Sequence, residues 1–355
     1  MRPLQIGLAV SFLSVTVGAC APTVRNGGDD DGVGVDGGGS NNGFPDCDPA
    51  SGNTCSGNTV VSCNADGTFG SVVTECSDGM TCANATCTNA CTADGVDLVY
   101  VVSQELDFLS FDPRKLAGDP FTLIGRLACP ITRGTIQDPP GTVTPFSMSV
   151  DRDGKAWVEY TSGEIFNVSL TDASCTASGY VPEAAGMALF GMGFVTDAPG
   201  ANTEQLFIAG GGNNADPGGR LAHVDTHGGM YTPVIAGTMA ASSDYSAELT
   251  GTNEAKLYGF FPNLASPAFV QEIDKATGSL TGTKFNLGTA GLGAQVNAWA
   301  FAQWGGKFYV FVTSDGNSTV RVIDRATSMY TLAKQNLPYT IVGAGVSTCA
   351  PSVLQ

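Results

Sequence analysis

Residue types that can hold a metal or move a proton are scarce in this chain, so their positions are informative. Histidine occurs only at His223 and His227, in "LAHVDTHGG". With Asp225 these spell His-x-Asp-x-His, which on an extended strand puts three ligand side chains on one face. Three-liganded metal sites and His-dependent nucleophilic catalysis both draw on such a set. Asp225, however, falls on a recurring turn position where a side chain-to-backbone hydrogen bond accounts for it, and neither a metal nor a cofactor is assigned. Carboxylates are the other candidates. Cleavage of a glycosidic bond needs two, one of them with a raised pKa. Glu248, in "AELT", is the acid found on an otherwise uncharged set of short strands. Its partner, Asp244 or Asp151, would have to come from a flanking loop. "GAGVS" and "GTAGLG" do not join a strand to a helix, so a phosphate cradle is not indicated. No Gly-x-Ser-x-Gly elbow stands where a hydrolase of that type needs it. "DRDGK" (151–155) and "TSDGNS" (313–318) read as Asp-Gly turns between strands.

The elements that position these residues repeat. An apolar residue, an Asp and a turn recur in "SFDPRKL", "AHVDTHGG", "QEIDKATG" and "RVIDRATS", at Asp112, Asp225, Asp274 and Asp324, and Ser169 fills the same slot in "NVSLTDAS". An alternating apolar strand precedes each turn: "DLVYVV", "KAWVEY", "QLFIAG", "KLYGFF" and "KFYVFV". Four of these are preceded by a shorter strand, "SMSV", "GMGF", "AELT" or "WAFA", and a further strand follows each turn. Four short antiparallel strands in each unit of about fifty residues describe a blade of a β-propeller. The expected fold is therefore all-β: a five-bladed β-propeller over residues 93–355. The first unit lacks its opening strand, and "IVGAGVST" (341–348) is an opening strand with nothing after it. The C-terminal strand is expected to complete the first blade and hide both sheet edges.

Loop lengths then choose a face. The connections 129–145, 237–246 and 288–297 are long and share one end of the array with the loop 210–219, whereas the opposite end carries tight turns. Loops on a rigid scaffold commonly carry function. Glu248, Asn297, Trp299 and Asn213 are expected near that decorated end as binding residues, with core packing as the competing role for Trp299. Trp157 and Trp304 are expected to pack between blades.

Cysteine parity supplies the rest of the architecture. There are eleven cysteines. Met1-Arg2 followed by "PLQIGLAVSFLSVTV" is a secretory signal, residues 1–19, too short to span a bilayer comfortably. Val17-Gly18-Ala19-Cys20 resembles the bacterial lipobox, which implies acylation of Cys20 and leaves an even number of cysteines to pair. Ala21 follows the Cys where inner-membrane retention usually shows Asp, so the resemblance implies an outer-membrane anchor. Residues 20–44 are a Gly/Asp-rich tether spanning roughly 25–30 Å at about 5–6 Å × √n. Residues 45–92 hold Cys47, Cys55, Cys63, Cys76, Cys82, Cys87 and Cys91, in a segment too short and polar to build a core without bridges. Seven is odd, so one must reach Cys129, Cys175 or Cys349. Cys91 precedes the first blade and Cys349 ends the strand placed beside it, which predicts Cys91–Cys349 and leaves Cys129–Cys175. The remaining six pair within the module, with fifteen connectivities open. This spacing resembles the small Cys-rich modules of myxobacterial-type secreted lipoproteins.

The net charge of −17 repels nucleic acid and anionic headgroups, which excludes binding built on phosphate contacts. The expected protein is lipid-anchored at the cell envelope, with an envelope protein or polysaccharide as partner, and acts by binding or scaffolding. The alternatives are an extracellular carbohydrate-active enzyme, either a glycosidase or a polysaccharide lyase, using Glu248 and a loop carboxylate, and a purely structural envelope component.

Overall fold

Strands buried on both faces can exist only inside a stack of sheets, and this chain has many. Val99–Ser103, Phe190–Thr196 and Leu257–Phe261 are buried at every position. The computed structural model describes residues 46–353, apart from 77–79, 84, 90, 92, 138–139, 211–218, 227–230, 240–246, 263–266 and 290. The expected signal, Cys20 and tether lie outside these residues, as do Asn213, His227 and Asp244. The described chain is all-β, with three single-turn 3-10 helices.

Five four-stranded antiparallel sheets form the body. Sheet I contains Val99–Ser103, Asp107–Phe111 and Phe121–Arg126, with Ile341–Val346 on its inner edge. Sheet II runs from Pro145–Val150 through Lys155–Tyr160 and Ile165–Ser169 to Cys175–Ala177. Sheet III runs from Phe190–Thr196 through Glu204–Gly210 and Arg220–Val224 to Val234–Thr238. Sheet IV runs from Glu248–Gly251 through Leu257–Phe261 and Phe269–Ile273 to Leu280–Asn286. Sheet V runs from Val296–Trp304 through Lys307–Ser314 and Asn317–Asp324 to Tyr330–Lys334. Burial falls along this order: the inner strand of sheet III is fully buried, and the outer strand of sheet I has no buried residue and is exposed at half its positions.

Apolar side chains leave both faces of each sheet and meet those of the next. Trp157, Ile165, Phe190 and Met192 join sheets II and III. Val195, Phe207, Leu249 and Phe261 join III and IV, and Phe260, Phe301 and Phe308 join IV and V. Leu109, Phe111, Trp304 and Phe311 join V to I, and Tyr100, Phe108, Met148 and Val158 join I to II. The sequence of contacts returns to its start. Trp157 and Trp304 both lie in these inter-sheet layers.

The chain ends meet in sheet I, where Ile341–Val346 pairs antiparallel with Val99–Ser103 (Val346 opposite Val99, Ile341 opposite Ser103). Beside this pairing Cys91 is bonded to Cys349, and within the body Cys129 is bonded to Cys175. The preceding module has a three-stranded sheet, Asn53–Ser56, Thr59–Cys63 and Phe69–Glu75, and a hairpin of Met80–Ala83 with Thr86–Asn89. Cys47–Cys63, Cys55–Cys82 and Cys76–Cys87 staple it. Val60 and Val61 are its buried aliphatic residues, so the bridges stand in for a core. Five disulfides mark a protein that matures outside the cytosol. Among the described residues no helix is long and apolar enough to cross a membrane.

The recurring turn residue does local work. Asp112, Asp274 and Asp324 accept from the backbone N–H two residues on, at 3.1, 3.0 and 3.0 Å, and Ser169 Oγ does the same at 3.2 Å. A short side-chain acceptor at the first turn position organises each connection.

Candidate ligand-binding site

An inner strand is a sheet edge, and its unpaired N–H groups need acceptors. Side chains of neighbouring sheets supply them here. Ser149 Oγ accepts from Phe194 N at 3.0 Å, and Thr250 Oγ1 accepts from Gln303 N at 3.1 Å. Glu159 Oε2 accepts from Phe190 N at 3.2 Å. Glycines let the inner strands close up. A Cβ on Gly191 would strike the backbone of Ala247 and Glu248, and one on Gly345 would strike Ser149.

A cavity of about 180 Å³ lies at the end where the inner strands of sheets II, IV and V begin. Gln104 and Val342 reach it from sheet I, and Phe146 and Thr161 from sheet II. Glu248 enters from sheet IV, and Asn297 and Trp299 from sheet V. Three residues expected to bind, Glu248, Asn297 and Trp299, thus line one cavity. Gln137, from the long connection 129–145, completes the same wall.

Glu248 is 3% exposed. Ser147 Oγ donates to its Oε2 at 2.9 Å, and the residue forms part of the cavity wall. Burial holds the carboxyl well above the usual carboxylate range, and the Ser147 hydrogen bond opposes this only in part. Glu159, fully buried on the second strand of sheet II, is raised in the same way, with the N–H of Phe190 opposing and the charge of Glu248 adding. Its Oε1 is buried without a partner. The charge of Glu248 thus acts on Glu159, and among the described residues no basic side chain is a cause of either shift.

Asp151 is not the second member of a catalytic pair with Glu248. It follows Val150, at the far end of a six-residue strand whose first residues line the cavity, roughly 20 Å away at about 3.3 Å per residue. There it accepts from Lys155 N at 2.8 Å and from Trp157 Nε1 at 2.9 Å, as a turn residue. The same end carries a polar cluster not foreseen from sequence. Glu204 accepts from Arg152 N and from Thr348 Oγ1, both at 2.7 Å, and Arg152 Nη1 donates to Thr348 Oγ1 at 3.1 Å. Burial raises the Glu204 pKa to about 7. His223 lies tilted against Phe207, with ring centroids 5.8 Å apart and planes at 44°, and the described residues contain no group of three His, Cys, Asp or Glu side chains placed to hold a metal.

Glu159 and Glu204 had a sequence signal. Each stands in a strand ("KAWVEY", "EQLFIAG") whose other residues are apolar or aromatic enough to be buried on both faces. An acid in such a strand is either paired or functional. Gln104 and Thr161 had none, because second-strand ends show no distinguishing pattern.

No protein-family model matches the chain, and no curated protein matches it. Solved structures resemble it at low identity. A chain of a nidogen/laminin complex is 11% identical, with 70% of this chain and 97% of that chain covered and a TM-score of 0.40. TolB from Acinetobacter baumannii is 12% identical, covering 66% and 52% at a TM-score of 0.37. An α-L-arabinofuranosidase from Clostridium thermocellum is 16% identical, covering 55% and 72% at a TM-score of 0.37. Values this low say nothing of ligand or activity.

Proposed function

We propose that this chain is a lipid-anchored cell-envelope protein whose five sheets make a five-bladed β-propeller, and that it binds a ligand in the cavity over Glu248. The observation that carries the reading is convergence: residues of four separate sheets meet in one cavity with a buried carboxyl at its floor. Concave sites lined by aromatic and apolar surface with a few placed polar groups are where small ligands and chain ends bind. Acylation of Cys20 in the lipobox-like Val17-Gly18-Ala19-Cys20 would hold the protein at the outer membrane, with the tether setting its reach. An envelope polysaccharide or protein is the partner this address offers. A screen of glycan fragments and small polar metabolites against the full chain, read by thermal shift, tests the reading. A ligand is expected to raise Tm, and W299A and N297A are expected to abolish the rise. Binding that survives in both variants would remove the cavity from consideration, and silence across the screen would favour a structural role.

The second reading is a carbohydrate-active enzyme. A buried, raised carboxyl such as Glu248 suits a general acid. Among the described residues lining the cavity Glu248 is the one acid, so the second carboxyl this chemistry needs is not shown there. Release of new reducing ends from a glycan, lost in E248Q with folding intact, would favour it.

A further inference from the structure

The cavity's chemistry narrows its ligand further, on the reading that this cavity is the binding site. We propose that it takes a small organic cation, an amine or quaternary ammonium group, with the positive charge beside the Glu248 carboxyl and against the aromatic lining. Glu248 is nine-tenths buried and aims into the cavity with one protein partner, the Ser147 hydroxyl. Behind it lies Glu159, also buried, with Oε1 unpartnered. Buried carboxylates are ordinarily paired with a base, and among the described residues no basic side chain is a cause of either carboxyl's shift, so a ligand could bring the positive charge that stabilises the ionised form. Phe146 and Trp299 line the same space, and aromatic rings attract ammonium groups. The remaining polar walls, Gln104, Gln137, Thr144, Thr161 and Asn297, are neutral and compete with no cation. A net charge of −17 raises the local concentration of cations around the whole molecule. An anionic ligand would meet the opposite of what it needs.

The groups that face Glu248 set the pH dependence. Glu159 is the titratable neighbour, and Tyr180 faces Glu159 in turn. Burial disfavours the ionised form of Glu248, the form that would face a cation, and raising the pH favours it. Affinity for a ligand of fixed charge then strengthens as pH rises, by up to roughly tenfold per pH unit.

Matched probes test this on the full chain by calorimetry. Choline is compared with 3,3-dimethylbutanol, its uncharged isostere, and glucosamine with glucose. The expected result is that choline and glucosamine bind at least about tenfold more tightly than their neutral partners. Choline should bind more tightly at higher pH and release a proton, and E248Q should lose the preference. Should E248Q fold poorly, E159Q is the second variant; it leaves the cavity lining unchanged and is expected to weaken choline a few-fold. Neutral partners that bind as well as the cations, or choline binding indifferent to pH and to E248Q, would overturn the inference. If only neutral sugars bind, and W299A removes them, the cavity remains the site and the cation is wrong. If no probe binds up to about 10 mM, the cation inference fails, and the broader screen then decides whether the cavity fails with it.

Discussion

Ser147 and Glu248 belong to sheets II and IV, yet Ser147 Oγ donates to Glu248 Oε2 at 2.9 Å, past the inner strand of sheet III. The bond is made where that intervening strand carries Gly191 and Gly193, neither with a side chain to fill the space. One short polar contact thus ties sheet II to sheet IV and holds the Glu248 carboxyl in place. Removing the donor should be felt twice. S147A leaves Glu248 buried without its partner and is expected to cost about 1–3 kcal/mol, read as a lower urea midpoint at unchanged slope. It should also raise the Glu248 pKa further, because that hydrogen bond is what lowers it.

Gly191 tests whether close approach of the inner strands is required. A Cβ there meets the Ala247 carbonyl oxygen and the Glu248 Cα, both backbone, which cannot swing aside. G191A is expected to destabilise by about 3 kcal/mol and to distort the cavity through Glu248. G134A is the control, since nothing lies near that position and its Cβ would project into open space. Its stability should change by under about 0.5 kcal/mol.

The Cys91–Cys349 bond joins residues 258 positions apart, beside the strand pairing that unites the two chain ends. A loop of that length gives the largest entropic restraint the chain-entropy account allows, about 5 kcal/mol. Replacing both cysteines by Ser is expected to lower Tm strongly and to expose the edge of Val99–Ser103 by fraying of Ile341–Val346. Hydrogen exchange should show protection lost first in those two strands. The same double replacement at Cys129 and Cys175, which encloses 46 residues, should cost less.

Much of this architecture was readable because its causes are local. Asp112, Ser169, Asp274 and Asp324 mark turns through bonds that reach only two or three residues, so the sequence spacing carries the unit length. Closure was readable from an opening strand without a successor, and the clasp from cysteine parity. Pairing inside the module was not, since Cys55–Cys82 and Cys76–Cys87 depend on how a hairpin folds over a sheet with almost no apolar pattern. The cavity was half readable. Glu248, Asn297 and Trp299 sit at strand starts that loop length singles out, while Gln104 and Thr161 arrive from second strands by the geometry of neighbouring sheets. Asp151 misled because proximity to a strand end says nothing about which end faces the ligand.

Glu204 gives the chain a pH dependence whose sign is unusual for an acid beside an arginine. Burial is the largest cause and raises its pKa to about 7, against an ordinary 4.5, while Thr348 and the Arg152 N–H and charge oppose it. A folded-state pKa above the unfolded value means that the folded form binds the extra proton. Stability is then fully present below the unfolded pKa and declines as pH rises through the interval between the two values, levelling above about 7. The decline attributable to this one group is of the order of 3 kcal/mol. Glu159 and Glu248, also raised by burial, act with the same sign. Tm should therefore fall from pH 5 to pH 8, and E204Q should remove part of that fall by raising Tm at pH 8 more than at pH 5. Equal shifts at both pH values would mean that Glu204 stays ionised in the fold, with Arg152 rather than burial deciding its charge.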